Sequence, residues 1–188
     1  MIYESKKITL KDGRTALFRT PFTTEAEAAA MMDYLRICAS ETEFIIRYPE
    51  ECTDTPAQEA AYLDNINRSE NSLMIVCEMD GEIAGNCQIV FSDKMKTRHR
   101  ATVMIGIRQK YWSIGIGTAM FEEMIRIAEG RQVWQLELEY LEGNERARRL
   151  YEKMGFVQYG ERPDAIRLKG GTMRKEILMM RKSGTGYK

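Results

Sequence analysis

Apolar positions between Glu25 and Cys38 fall at Ala28, Met31, Met32 and Leu35, the three- and four-residue spacing of a helix that buries one face. Thr24 followed by Glu27 gives this helix a capping-box start. An acid-rich linker follows, and Thr55, Pro56 and Gln58 open a second helix predicted to reach about Ile66. Ahead of both helices, Ile8 to Leu10 and Thr15 to Arg19 flank Lys11-Asp12-Gly13-Arg14, a hairpin turn signal. After them the pattern becomes that of a meander. Ser72 to Met79 and Glu82 to Ser92 are predicted strands joined by the turn Asp80-Gly81, and a basic loop leads to a β-branched strand from Ala101 to Ile107.

The second half returns to the helical period at Thr118 to Glu129, with Met120, Phe121, Met124, Ile125, Ile127 and Ala128 inward and Gly130 as the stop. Val133 to Tyr140 alternates as a strand. Asn144 to Met154 is a short helix with Ala147, Leu150, Tyr151 and Met154 on its inner stripe. Ile166 to Leu168 and Glu176 to Met180, around Gly170-Gly171, predict a closing hairpin, and the tail from Ser183 is expected to fray. These elements define a mixed α/β (α+β) class. With no Pro/Gly/Ser linker or repeat, the chain of 188 residues reads as one domain over residues 1–182 with residues 183–188 as a tail.

Charge narrows the partners. The 28 basic residues balance 28 acidic ones, which argues against nucleic acid or an anionic membrane as the main partner. The four cysteines, Cys38, Cys52, Cys77 and Cys87, lack a Cys-x-x-Cys spacing, and His99 is the single histidine. No metal site is expected. Isolated thiols, no membrane-length apolar run and no signal pattern after Met1 predict a cytoplasmic protein.

The candidate chemistry lies in Trp112-Ser113-Ile114-Gly115-Ile116-Gly117-Thr118. A strand, a loop and a helix in that order leave unpaired N–H groups at the helix start, where the macrodipole also favours an anion. Gly115 and Gly117 allow close backbone approach and positive φ. The segment reads as a phosphate cradle, with a plain strand-to-helix connection as the alternative. A dinucleotide fingerprint fits poorly, because Arg108 to Ile114 separate the strand from the first glycine and Met120 stands at the third position. Glu137 or Glu139 could imitate its acidic partner, which leaves a nicotinamide-dependent oxidoreductase as a minor alternative.

This loop, together with Asn144, Ala147, Leu150, Tyr151, Gly155 and Phe156 at the spacing Asn-x-x-Ala-x-x-Leu-Tyr-x-x-x-Gly-Phe, resembles the two signatures of the GCN5-related N-acetyltransferase (GNAT) superfamily. Good agreement runs from about Ser72 to Phe156. Trp112 departs from the Arg or Gln most often found there. The resemblance implies a central, mixed, mostly antiparallel sheet flanked by helices, and acetyl-CoA as co-substrate. It implies that residues 112–118 hold the cofactor and that the main chain of Ile105 and Ile107 pairs with the pantetheine amides. Gly106 between them would let the strand splay. Tyr151 is implied near the cofactor sulfur as general acid, with a core tyrosine whose hydroxyl is satisfied as the alternative. Asn144 would cap its helix and bond the pantetheine arm, roles that compete for one side-chain oxygen although its amide N–H₂ remains free. Arg148, Arg149 and Lys153 read as a solvated helix face rather than a phosphate contact.

The acceptor side is thinner in signal. The Ala101 strand carries no carboxylate, and Glu137 and Glu139 alternate with Trp134, Leu136, Leu138 and Tyr140 as a half-exposed strand requires. Glu41 or Glu43, in the region that the resemblance assigns to the acceptor pocket, is the candidate for binding or deprotonating a cationic amine. Surface acids at a helix end are the alternative. The expected reaction is direct acetyl transfer in a ternary complex to a primary amine of a small molecule, or to a peptide or protein N-terminus. A non-catalytic acyl-CoA-sensing module is the second reading, and a homodimer is possible in this superfamily.

Overall fold

A computed structural model describes residues 1–183. In chain order, β1 (Lys6–Thr9) and β2 (Thr15–Arg19) precede α1 (Glu25–Glu41) and α2 (Pro56–Arg68). Then come β3 (Ser72–Met79), β4 (Glu82–Phe91), β5 (Arg100–Ile107), α3 (Ile116–Gly130), β6 (Gln135–Leu141), α4 (Glu145–Lys153), β7 (Val157–Arg167) and β8 (Met173–Lys182). Hydrogen bonds order the strands of the described residues as β1-β2-β3-β4-β5-β6-β8-β7. Neighbours β1/β2, β2/β3, β3/β4, β6/β8 and β7/β8 are antiparallel, whereas β5 and β6 are parallel, with Arg100 opposite Gln135. This mixed sheet flanked by four helices is the predicted architecture, and it is not the doubly wound parallel sheet that a dinucleotide-binding protein would need.

The chain divides into two compact units, Met1–Val90 with Met104–Met120, and Phe91–Val103 with the described residues from Phe121 onward. In the first, Met31, Tyr34 and Cys38 of α1 pack with Leu63 and Ile66 of α2, Met74 and Val76 of β3 and Ile83 of β4. In the second, Phe121, Met124 and Ala128 of α3, Leu136 and Leu138 of β6, Tyr151 of α4, Phe156, and Ile177 and Met179 of β8 are buried.

Several boundaries differ from expectation for local reasons. The Thr24 side chain accepts from Glu27 N–H at 3.2 Å, but Glu27 does not complete a capping box. Its carboxylate binds Arg19 at 2.6 and 3.1 Å, and Arg19 also reaches Glu78 at 2.9 Å. A buried guanidinium outbids the backbone for that acid. The second helix does carry the reciprocal box, Thr55 with Gln58. The closing hairpin is longer than predicted, because Pro163 interrupts the pattern yet sits in the terminal strand, where a missing N–H is tolerated. A register shift between Arg162 and Ile166, with Asp164 at φ 49°, absorbs it. Ser183 is buried and its N–H donates to Trp134 O at 2.9 Å. The rest of the expected frayed tail, residues 184–188, lies outside the described residues. Among the described residues no helix is long and apolar enough to cross a membrane.

Candidate active site

In the first unit β5 ends at Ile107, a 3-10 turn spans Gln109–Tyr111, and α3 begins at Ile116, two residues before the predicted start. Gly117 and Thr118 therefore lie in the first helical turn. At the helix start Ala119 N–H donates to Gly115 O at 3.1 Å. The N–H groups of Ile116 and Gly117 precede it in the first turn. Ser113 at φ 66° and Gly115 at φ 108° turn the chain into this helix. Glycine is needed at 115, since φ is positive and a Cβ there would already stand 3.4 Å from both the backbone N and the Cγ of Lys11. Main-chain donors at a helix start are suited to an anion, and the backbone and stem of Lys11 lie beside Gly115.

The turn ahead of α3 is pinned by Glu82, which the sequence did not single out, together with Glu41 and Trp112, which it did. Glu82, at the start of β4, accepts from Arg108, Lys110 and Tyr111. Hydrogen bonds from Lys110 and Tyr111, then Arg108, hold its carboxyl down to about 2 against the opposing effect of burial. Glu41, the last residue of α1, accepts from Gln109 N–H at 2.6 Å through Oε2. Trp112 Nε1 donates to Ile107 O at 2.7 Å. The indole thus occupies one lone pair of a carbonyl that the resemblance assigned to the pantetheine arm. Only an acid opposite the basic run Arg108-Gln109-Lys110 hinted at Glu82, and no local pattern could place the two together.

Gly106 has a role other than the expected splay. A Cβ on it would stand 2.7 Å from the Tyr34 hydroxyl, and a Cβ on Gly85 would stand 2.8 Å from Gly106 O. Two glycines thus let β4 and β5 meet α1 without side chains in the way. The Tyr34 hydroxyl donates to Asn86 Oδ1 at 2.9 Å and accepts from Asn86 N–H at 3.2 Å. Burial pushes the Tyr34 phenol well above its usual range. Burial likewise drives the Cys38 thiol one turn on up to about 11, which makes it an inert core group rather than a nucleophile.

Tyr151 and Asn144 belong to the second unit. Asn144 caps α4, accepting from Ala147 N–H at 3.1 Å through Oδ1, so only its Nδ2 donors remain for a ligand. Tyr151 is 8% exposed, its ring set against Phe121 at 5.5 Å, Tyr140 at 5.7 Å and Phe156 at 6.3 Å between centroids. No hydrogen bond reaches its hydroxyl among the described residues, unlike the satisfied core tyrosine weighed as the alternative. Burial raises its pKa, with the neighbouring Tyr140 adding to the effect.

The remaining acids and bases sort by their partners. Glu137 accepts from Arg100 at 3.2 Å, and Glu139 lies 3.5 Å from Arg162, as solvated strand positions do. Arg148 is committed to Glu145 at 2.7 Å and Glu152 at 3.0 Å on its own helix. Glu43 is exposed beyond the end of α1.

A sequence model of the Acetyltransferase (GNAT) family matches residues 30–156. The chain belongs to this family of acetyltransferases. An acetyltransferase of the GNAT family from Streptococcus pneumoniae is 25% identical, with a TM-score of 0.81 over 89% of this chain and 99% of that one. The ribosomal-protein-S5-alanine acetyltransferase of Vibrio fischeri shares the fold at 15% identity and a TM-score of 0.80, covering 97% and 98% of the two chains. A Salmonella typhimurium protein solved with its cofactor acetyl-CoA does so at 15% identity and a TM-score of 0.75, covering 93% and 98%. No curated protein sequence matches the chain.

Proposed function

We propose that the protein is an acetyl-CoA-dependent N-acetyltransferase that moves the acetyl group directly to a primary amine, of a small molecule or of a protein N-terminus, in a ternary complex. The observation that carries this reading is Tyr151, a buried tyrosine whose hydroxyl has no partner among the described residues.

The chain's groups fit acetyl-CoA in separate tasks. The N–H groups of Ile116 and Gly117 suit the pyrophosphate, with Trp112, Ser113, Ile114, Gly115 and Thr118 shaping the turn and helix start that present them. Main-chain groups of Ile105 and Ile107 and the Asn144 Nδ2 suit the pantetheine amides. When bound, acetyl-CoA supplies an acetyl thioester. The acceptor nitrogen forms the new C–N bond as the C–S bond breaks; the amine releases one proton and the thiolate gains one. Tyr151 holds its proton more tightly than a free thiol, whose pKa is about 8.5. Its hydroxyl therefore acts chiefly by donating a hydrogen bond to the departing sulfur, with the proton reaching sulfur as solvent reprotonates the phenol.

Thiol release from acetyl-CoA, followed with spermidine, an amino acid, an amino sugar and a peptide bearing a free N-terminus, tests the proposal. Amine-dependent release with at least one acceptor is expected. Acetyl-CoA binding without amine-dependent release would favour a sensing module instead.

A further inference from the structure

The helices of the first unit cover only part of the sheet face on which they pack. Met74 and Val76 of β3 join the core made with α1 and α2, and their partners on β4 are Gln88 and Asn86, so these two side chains point to the same helical side. Asn86 meets Tyr34 of α1 there, and a Cβ on Gly106 would point at the same hydroxyl. Arg108 N–H donates to Ala84 O at 3.0 Å and Ser92 N–H to Arg100 O at 3.1 Å. These bonds set β4 and β5 in an antiparallel register that puts Asn86 opposite Gly106 and Gln88 opposite Met104. The face thus runs from a covered end, where Asn86 and Gly106 lie beneath Tyr34, to Gln88, Val90 and Met104. Tyr62 of α2 stands against Gln88, whose Nε2 donates to Ser72 Oγ at 2.7 Å. Past that point the cover ends: Val90 is 37%, Met104 46% and Tyr62 48% exposed.

Single exposed apolar side chains are ordinary, but three gathered around one polar anchor form a patch. Two features tie this patch to the acceptor. Met104 directly precedes Ile105, whose main chain the acetyl-transfer reading gives to the pantetheine arm, and a strand advances about 3.4 Å per residue. An amine that comes within about 3.5 Å of the thioester carbon therefore has Met104 within reach of any group it carries a few bonds away. The patch also offers no excess of either charge, since Glu59 and Arg47, whose charges are felt at Tyr62, oppose each other there. We infer that Met104, Val90 and Tyr62 seat an apolar or aromatic group of the acceptor, so that the enzyme prefers a primary amine with such a group within a few bonds of its nitrogen to a polyamine. This rests on the acetyl-transfer reading. A free arylalkylamine and a peptide whose first residue is apolar present the same chemistry.

The test sets phenethylamine against ethylamine and spermidine, and a tripeptide opening on Phe against one opening on Gly. The expected result is a kcat/KM about tenfold or more higher for the apolar member of at least one set, the scale on which an apolar pocket discriminates. The free amines respond if the acceptor is a small molecule, and the peptides if it is a chain terminus. Met104→Glu places a carboxylate on the patch at an exposed position. It should raise KM for the preferred apolar acceptor about tenfold and lower it for spermidine, with KM for acetyl-CoA unchanged. Val90→Glu, on the neighbouring strand, should act in the same direction and carries the test if Met104→Glu fails to fold. No preference in either set, or a loss in the variant shared equally by spermidine, would overturn the inference. Wild type that acetylates no amine would refute the transfer reading and this inference together. Wild type that acetylates apolar and small amines alike refutes this inference alone.

Discussion

Two tyrosines with opposite surroundings make the sharpest residue-level contrast. Tyr34 is locked by Asn86 on both its donor and acceptor sides, whereas the Tyr151 hydroxyl meets no partner among the described residues. Tyr151→Phe should leave folding and acetyl-CoA binding intact and lower kcat by about a hundredfold, the lower end of the usual contribution of a positioned proton donor. Equal kcat for the two proteins in the thiol-release assay would remove Tyr151 from the chemistry. Tyr34 predicts a different signature. Gly106→Ala puts a Cβ 2.7 Å from the Tyr34 oxygen, an overpacking expected to cost about 1–3 kcal/mol. Tyr34→Phe removes that oxygen, so the double variant should be more stable than the sum of the single losses requires. Additive losses in denaturant melts would mean that the strand, not the hydroxyl, yields. Tyr151 was legible from its place in a spaced motif. Tyr34 was not, because its partner Asn86 lies 52 positions away and no periodicity encodes such a pairing.

At the level of elements, Glu82 is the chief side-chain anchor of the turn between β5 and α3. Glu82 gathers Arg108, Lys110 and Tyr111, and these hydrogen bonds hold its carboxyl down to about 2, below its ordinary range. A depressed carboxylate stabilises the fold above its unfolded pKa and loses that contribution as pH falls toward the folded one. Wild type should therefore lose more stability than Glu82→Gln between about pH 5 and pH 2, with salt reducing the difference because the side chain is 34% exposed. Parallel pH profiles of the two proteins would contradict this. The cradle itself predicts that Gly117→Glu abolishes acetyl-CoA binding, since a carboxylate in the first turn of α3 meets the anion it should hold. Retained affinity by calorimetry would mean the cradle is elsewhere. Helices and the meander were largely readable from spacing and turn chemistry: Asp80 at φ 53° and Gly81 at φ 79° form the predicted hairpin turn. The start of α3 was read two residues late because Gly117 reads as a loop residue although it stands in the first helical turn. Most of β7 was missed because an edge strand exposed along most of its length shows no alternation.

For the whole molecule, the order of elements was legible because each obeys its own local rule, and that order is the one on which the GNAT family is built. The acceptor side was less so. Glu41, the acid the sequence offered, is drawn to the backbone N–H of Gln109, 68 positions away, a pairing no local periodicity encodes. Balanced charge over 188 residues leaves recognition to such individual groups rather than to a broad field. Use of acetyl-CoA is the claim on which the rest depends, and the thermal midpoint with saturating acetyl-CoA, set beside the midpoint with NADH, tests it most directly. A ligand at a hundred times its dissociation constant adds about 2.7 kcal/mol, or roughly 5–10 °C for a chain of this size. The prediction is a shift of that order with acetyl-CoA and none with NADH; no shift with acetyl-CoA, or an equal shift with both, would contradict it.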